Sequence, residues 1–214
     1  MSAPKQVASR LERICSVSRE TLDRLGHFVS TVQKWTRSIN LVADPRPEVI
    51  WERHILDSAQ LFPLRRGEDG NWCDLGSGGG FPGLVIGVLA REHSPLTRVT
   101  LVESDRRKAT FLAVTARDLD LNVLVVVERA EILAPQGAQT VSARALAPLP
   151  RLLPLVERHL AGDGIALLPK GHTFEEEIAA ARKRWAFTVE AIPSIVSSQS
   201  RILRVADLRR LNAS

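Results

Sequence analysis

Residues 74–83, with the sequence DLGSGGGFPG, decide the fold class of this chain. They follow an apolar segment, residues 72–75, that predicts a β-strand, and they precede residues 84–92, whose apolar spacing predicts a helix. A glycine-rich turn between a strand and a helix is typical of a nucleotide-binding crevice. Gly76 and Gly78 have no Cβ, so they permit a tight turn and a close approach of the main chain to a ligand.

Beyond this turn, apolar strand patterns alternate with helical patterns, which predicts βαβ units and a parallel sheet. The seven predicted strands are residues 72–75, 99–103, 123–128, 141–144, 165–169, 187–192 and 202–206. Four helices are predicted between them, at residues 84–92, 106–119, 149–159 and 174–185. A short polar loop separates the last two strands, so we expect a mainly parallel α/β sheet with a C-terminal antiparallel hairpin. Arg209 and Arg210 are predicted to lie in a solvated tail.

The segment before the first strand has a different pattern. Apolar residues recur at helical spacing between residues 18 and 59, and residues 65–71 contain two glycines among alternating charges. We therefore predict a helical N-terminal extension over residues 1–70 and an α/β core over residues 71–214.

The composition indicates a folded protein with a polyanionic partner. The formal charge is +5, the sequence pI is about 9.9, and only five of the 29 basic side chains are lysine. Arginine binds phosphate in a bidentate way and stacks on bases, so this balance favours RNA, although a genomic preference for arginine codons explains it equally well. No signal peptide, membrane-length apolar run or zinc-type spacing is visible, so we expect a cytoplasmic protein without a membrane anchor or a metal.

Acidic residues at the ends of the first two strands suggest the ligand. The third glycine of a dinucleotide motif would fall at Phe81, which disfavours NAD. Asp74 and Glu103 instead suit the ammonium group and the ribose diol of S-adenosylmethionine. Alternatively, either carboxylate caps the helix that follows it.

The third and fourth strands add further candidates at the same crevice. Residues 128–131 are expected to line this crevice, where their backbone and Glu131 contact the adenine, although Glu131 alone also fits a solvated loop acid. Arg144 follows the fourth strand at the carboxyl edge of the sheet, where ligands of open α/β sheets bind. We predict a catalytic role for it, with an ion pair at a strand end as the alternative.

The extension and the fifth strand carry weaker candidates. His54 and Asp57 share a helix face, where they either form a wall of the substrate site or tie the extension to the core. Lys170 is a candidate for an RNA phosphate. The four tryptophans are predicted to pack in the core rather than to stack on bases, and they are Trp35, Trp51, Trp72 and Trp185.

Six motifs occur in the order found in a known family. They are WTRSINL at residues 35–41, RHILDS at 53–58, DLGSGGGFPG at 74–83, ERAE at 128–131, SARA at 142–145 and LPKG at 168–171. Over nearly its whole length the chain resembles the bacterial small-subunit rRNA guanine-N7 methyltransferases, the RsmG or GidB family. One departure is Thr36, where the family commonly has asparagine.

The resemblance implies a Rossmann-like, seven-stranded class I methyltransferase fold and methylation of a guanine in the decoding-region loop of 16S rRNA, on free RNA or on the 30S subunit. It also implies cofactor contacts at Gly76, Phe81, Ala130, Glu131 and Arg144. We expect a monomer.

The expected reaction needs no catalytic base, because guanine N7 presents an unprotonated lone pair to the methyl group. This agrees with the absence from the sequence of a nucleophile, a triad or the aromatic proline motif of amine methyltransferases. Two alternatives remain at this stage. They are an NAD-linked oxidoreductase and a non-enzymatic RNA-binding or assembly factor on a methyltransferase fold.

Overall fold

A computed structural model describes residues 3–211 of the chain. Its centre is a seven-stranded sheet. The strands are β1 Trp72–Leu75, β2 Val99–Val102, β3 Val123–Val126, β4 Ala138–Ser142, β5 Leu160–Lys170, β6 Trp185–Pro193 and β7 Arg201–Arg210. Their order in the sheet is β3-β2-β1-β4-β5-β7-β6. β7 is antiparallel to both of its neighbours, and the other pairings are parallel, so the predicted fold class is confirmed.

Helices cover both faces of the sheet. They are α1 Lys5–Ile14, α2 Arg19–Thr36, α3 Pro47–Ile50, α4 Asp57–Ala59, α5 Gly83–His93, α6 Arg106–Asp118, α7 Leu149–His159 and α8 Phe174–Ala181. A π-helical turn, Trp51–Leu56, joins α3 to α4, and a 3-10 turn, Phe62–Leu64, follows. Ser18 caps α2 by accepting a hydrogen bond from the backbone N–H of Thr21, and Asp105 caps α6 in the same way.

Two hydrophobic clusters hold these layers together. On one face, the buried side of the N-terminal helices packs with α5 and α6 against alternate strand residues such as Trp72 and Leu101. On the other face, α7 and α8 pack against Cys73 and Val141. Because the extension shares one core with α5 and α6, it forms a wall of the domain rather than a separate unit, and the division at residues 70 and 71 stays a prediction.

The strand ends differ from the sequence expectation in ways that matter for the site. β4 begins at Ala138 and ends at Ser142, which places Arg144 in the loop beyond the strand rather than at its end. β7 continues through Arg209 and Arg210, which pair with Ala186 and Trp185 of β6, so the prediction of a solvated tail was wrong. Both arginines are exposed, but their backbones still pair with β6. Their charged side chains had suggested a tail, and the sequence pattern did not show that the strand continues through them.

Within residues 3–211, no helix combines the length and apolar character needed to cross a membrane. In the same residues, no group of three or more His, Cys, Asp or Glu side chains is arranged to hold a metal ion.

Candidate active site

The glycine-rich turn after β1 adopts a backbone that favours glycine. Gly76, Gly78 and Gly80 have φ angles of +67°, +51° and +85°, in the left-handed region where a Cβ is strained. The helix then starts at Gly83, where a Cβ would lie 2.2 Å from Leu101 Cδ2. Gly83 therefore provides the close helix-to-strand packing that a dinucleotide motif would assign to the position of Phe81.

Glu103 holds the turn from the end of β2. One carboxylate oxygen accepts a hydrogen bond from the backbone N–H of Gly78 at 2.8 Å, and the other accepts from Asp105 N at 2.8 Å. The side chain is mostly buried but lines the cavity beside the turn. Because each carboxylate oxygen has a second lone pair, Glu103 can still accept hydrogen bonds from a ribose diol.

Asp74 points away from this cavity. Its carboxylate is fully buried, accepts from Ser142 Oγ at 2.6 Å and from Gly83 N at 3.2 Å, and does not line the cavity. Trp72 Nε1 donates to the same Ser142 hydroxyl. Burial raises the pKa of the Asp74 carboxyl to about 6, against the lowering effect of these hydrogen bonds. Through these hydrogen bonds the carboxylate of Asp74 supports the turn and the start of α5.

A cavity of about 300 Å³, here called the first cavity, opens at the carboxyl edge of β1, β2 and β4. In the strand order, β1 and β4 are the neighbours between which the direction of winding reverses, and open α/β sheets bind ligands at this point. Main-chain and side-chain atoms from several loops line it. The lining includes Gly76, Gly78, Glu103, Lys108, Ala130, Glu131, Arg144, Ala145 and Leu146.

A buried histidine that the sequence patterns did not reveal fixes the far wall of the first cavity. His159, at the end of α7, pairs its Nε2 with the carbonyl oxygen of Ala130 at 2.8 Å, so this nitrogen carries the hydrogen. Burial lowers the pKa of the imidazole, which favours the neutral ring. Glu131 is exposed and pairs with Arg129 at 3.3 Å. The hydrogen bond from His159 therefore fixes the backbone of Ala130, whereas the side chain of Glu131 remains accessible to a ligand.

A second cavity, of about 510 Å³, lies beside the first. Arg144, Ala145 and Leu146 line both cavities and are called the dividing wall. Ala145 has a φ of +52°, a strained value for a residue with a Cβ, and Leu146 is 40% exposed while its Cδ1 stands over Gly76. The other side of the second cavity is lined by Asp57, Ala147, Pro148, Pro169, Lys170, Gly171, Glu177 and Ser200.

The guanidinium of Arg144 is held by the N-terminal extension. Its Nη2 pairs with His54 Nδ1 at 2.9 Å, and its Nη1 donates to the carbonyl oxygen of Arg53 at 3.3 Å and to Asp57 Oδ2 at 3.4 Å. The π-helical turn supplies the first two acceptors, and α4 supplies the third. The extension therefore sets the orientation of a residue that reaches both cavities.

His54 accepts from Arg144 because its ring is neutral. Burial lowers the pKa of the imidazole to about 4, and the charges of Arg144 and Arg53 add to this effect. The ring stacks on Phe81 with centroids 4.8 Å apart, and the Arg144 guanidinium lies 5.4 Å from the Phe81 ring. Phe81 is not among the residues that line the first cavity, and it packs between His54, Phe28 and the Arg144 guanidinium, so its contact with the cofactor stays a prediction.

Lys170 is already paired within the protein. Its Nζ donates to the carbonyl oxygen of Ala147 at 2.7 Å and lies 2.9 Å from Glu177 Oε2. The same Glu177 oxygen accepts from the backbone N–H of Leu149. Lys170 therefore lines the second cavity with its ammonium group already paired to Ala147 and Glu177, which disfavours the predicted contact with an RNA phosphate.

The tryptophans pack as predicted. Trp51, Trp72 and Trp185 are buried in the hydrophobic clusters, and Trp35 packs edge-on against Phe111 with centroids 5.6 Å apart.

The sheet topology and the glycine-rich turn together define a class I methyltransferase fold. Residues 21–203 match the family model described as "GidB: rRNA small subunit methyltransferase G". The chain belongs to this family. Its members are S-adenosylmethionine-dependent methyltransferases of small-subunit rRNA.

Curated relatives agree over most of both chains. The chain is 48% identical to a "Ribosomal RNA small subunit methyltransferase G" of Cereibacter sphaeroides over 90% of this chain and 93% of the relative. It is 43% identical to the protein of that name from Rhodospirillum centenum, over 97% and 94% of the two chains.

Solved structures are similar in fold. A methyltransferase from Geobacter sulfurreducens aligns with a TM-score of 0.57 and 14% identity, covering 96% of this chain and 98% of that one. A TehB-like SAM-dependent methyltransferase from Corynebacterium glutamicum aligns with a TM-score of 0.56 and 16% identity, covering 85% and 98%.

Proposed function

We propose that this enzyme transfers the methyl group of S-adenosylmethionine to N7 of a guanine in the decoding-region loop of 16S rRNA. The observation that carries the proposal is the pair of adjoining cavities at the carboxyl edge of the sheet, which share Arg144, Ala145 and Leu146. One cavity suits the cofactor, and the other leaves room for a base beside it. We also propose that the enzyme acts in the cytoplasm as a monomer, on 16S rRNA or on the 30S subunit.

The residues of the first cavity fit S-adenosylmethionine. Gly76 and Gly78 line it with bare main chain, which accommodates the methionine end. Glu103 offers carboxylate lone pairs to the ribose hydroxyls, and Ala130 with Glu131 forms the adenine side. When bound, the cofactor supplies an electrophilic methyl group on a sulfonium centre. Asp74 acts indirectly, since its carboxylate holds Ser142 and the first N–H of α5.

Orientation is the main task of the remaining residues. A guanine N7 lone pair needs no deprotonation before it attacks a methyl carbon, so a general base is unnecessary. Consistent with this, Lys170 at the second cavity is paired with Glu177. Fixing the reacting groups in line contributes as much as about 7–11 kcal/mol in favourable cases. Arg144, held from three sides, is the residue we assign to that alignment.

Methylation mapping in cells tests the proposal. 16S rRNA from cells with and without the gene is treated with borohydride and aniline, which cleave at N7-methylguanosine, and the cleavage sites are read by primer extension. In cells that carry the gene we expect one cleavage site in the decoding-region loop. It should be absent from cells without the gene, and it should return when the parental protein is supplied but not when Arg144→Ala is supplied. Cleavage that persists without the gene contradicts the proposal. Restoration by Arg144→Ala would contradict the role assigned to Arg144.

A further inference from the structure

The second cavity contains one carboxylate that the internal hydrogen bonds leave underused. Two carboxylates line it, Asp57 and Glu177. Glu177 Oε2 accepts from Lys170 and from Leu149 N, and its Oε1 is 3.4 Å from Thr173 Oγ1. Asp57 Oδ1 accepts from Gln60 Nε2 at 2.9 Å, but within residues 3–211 Oδ2 has only the long contact of 3.4 Å to Arg144. The carboxylate of Asp57 thus has two partners where that of Glu177 has three, so more of its acceptor capacity is free.

Arg144 has donor capacity to spare at the same place. A guanidinium carries five N–H groups, and the contacts to His54, Arg53 and Asp57 use three of them. Among the described residues, the Nε–H and one Nη2–H have no acceptor. The dividing wall thus presents free donors from Arg144 next to a free acceptor from Asp57.

The order of these groups matches the order of atoms along the edge of guanine. Around that base, N7 is followed by O6, then by N1–H, then by the 2-amino group. Moving away from the first cavity, the protein presents Arg144, which lines both cavities, and then Asp57, which lines only the second. With N7 toward the first cavity, O6 meets the donor and the N1–H and 2-amino groups meet the carboxylate. Adenine places an amino donor where guanine has O6, so it would oppose Arg144.

We propose that Asp57 reads the Watson–Crick edge of the target guanine, extruded into the second cavity, while Arg144 reads its O6. This inference rests on the proposed function and adds the source of base selectivity. Bases presented to enzymes in this way are commonly read by hydrogen bonds to that edge and by apolar contacts on their faces. Leu146, exposed on the dividing wall, supplies an apolar surface for one face.

Deleting single atoms from the target base tests the assignment. 30S particles are reconstituted with 16S rRNA that carries guanosine, inosine or 7-deazaguanosine at the target position, and kcat/KM for methyl transfer is measured. Inosine lacks only the 2-amino group, so we expect the parental enzyme to use it about tenfold less well, as for a lost hydrogen bond to a charged group. 7-Deazaguanosine has no N7 lone pair and should accept no methyl group. Transfer to it, or no transfer to guanosine, defeats the proposed function itself.

Variants at Asp57 separate base reading from structural support. Asp57→Asn keeps the volume and one acceptor oxygen, and Asp57→Ala removes both. The ratio of guanosine to inosine activity should fall from parent to Asp57→Asn to Asp57→Ala, where it approaches one, while the exposed control Asp118→Asn keeps the parental ratio. If Asp57 only supports Arg144, both substrates slow by the same factor and the ratio stays parental, which overturns the inference. Equal use of inosine and guanosine by the parental enzyme overturns it without any variant.

Discussion

The two sides of the dividing wall are built by different means. The first cavity is built around the main chain of the turn at Gly76 and Gly78, where Glu103 accepts a hydrogen bond from the backbone N–H of Gly78. The second cavity is bounded by side chains that come from distant parts of the chain, and its central guanidinium is held by acceptors 87 to 91 residues earlier in the sequence. Because the two cavities are built differently, we expect variants to separate binding of the cofactor from alignment of the substrate.

The largest effect is expected from Gly78→Val, on the main-chain side. A Cβ at Gly78 has room, with its nearest neighbour 3.7 Å away, but the rest of the side chain would enter the first cavity. Affinity for S-adenosylhomocysteine should fall at least about a hundredfold by calorimetry, equivalent to roughly 2.7 kcal/mol. The positive φ adds about 1–2 kcal/mol of strain, so a modest loss of stability is expected as well.

Gly137→Val is the matched control for that strain. Gly137 has a φ of +57° and precedes β4 at the opposite edge of the sheet, and among the described residues no non-neighbouring group lies within 4 Å of the place a Cβ would take. It should lose similar stability and keep parental affinity. If Gly78→Val binds S-adenosylhomocysteine as tightly as Gly137→Val does, the methionine end of the cofactor does not lie at Gly78.

Arg144→Ala tests the residue that belongs to both cavities. Misalignment of about 1 Å can cost about a hundredfold in rate, so single-turnover transfer to 30S particles should fall by at least that factor. Lysine should restore little activity, because a point charge cannot replace a planar fork held by three acceptors. Arg117→Ala, on the exposed end of α6, serves as control. If Arg144→Ala transfers the methyl group at the parental rate at saturating cofactor, Arg144 does not belong to the active site.

His54→Leu should act on the substrate side alone. It removes the 2.9 Å acceptor of Arg144, and a hydrogen bond to a charged group contributes about 1.5–3 kcal/mol, so transfer should slow about tenfold or more. Its affinity for S-adenosylhomocysteine should stay near the parental value. A parental transfer rate would show that His54 does not orient Arg144.

The protonation of His54 also predicts a dependence on pH. An unfolded histidine takes up a proton near pH 6.5, whereas the pKa of His54 in the folded chain is about 4, so the unfolded state binds more protons in between. The stability contribution of the neutral ring is thus present above pH 6.5 and lost as the pH falls toward 4. In urea unfolding, the parent should lose more stability than His54→Gln over this range. An equal loss in both proteins would contradict the assignment.

The smallest effect is expected at the adenine side. His159→Leu leaves the carbonyl of Ala130 without its 2.8 Å partner, at a cost to folding of about 1–3 kcal/mol. Affinity for the cofactor product should fall by about tenfold or less, because the main chain of Ala130 loses support rather than contact. His159→Gln, which can still donate, should recover part of both losses. Unchanged stability and affinity in His159→Leu would show that His159 does not support the adenine side.

The sequence is informative where the structure is local. The strand, glycine turn and helix around Gly76 and the acid Glu103 follow from short patterns, because a turn with positive φ selects glycine within a few residues. The same patterns predict Asp74 as a ligand acid, yet its carboxylate faces Ser142, a partner 68 residues away on β4. His159 and the packing of Phe81 are not visible for the same reason. Their roles depend on contacts between elements that are far apart in the sequence, as between His159 and Ala130 or between Phe81 and His54. A single sequence does not show which distant elements are in contact.

The most direct test measures two quantities on the same pair of variants: the dissociation constant for S-adenosylhomocysteine and the single-turnover rate of methyl transfer to 30S particles. Gly78→Val should lose affinity, whereas His54→Leu should keep the parental affinity within about threefold and lose rate at saturating cofactor. This division of work is contradicted if His54→Leu loses affinity in proportion to rate, or if Gly78→Val keeps its affinity. In either case the first cavity would not serve cofactor binding separately from substrate alignment at the second.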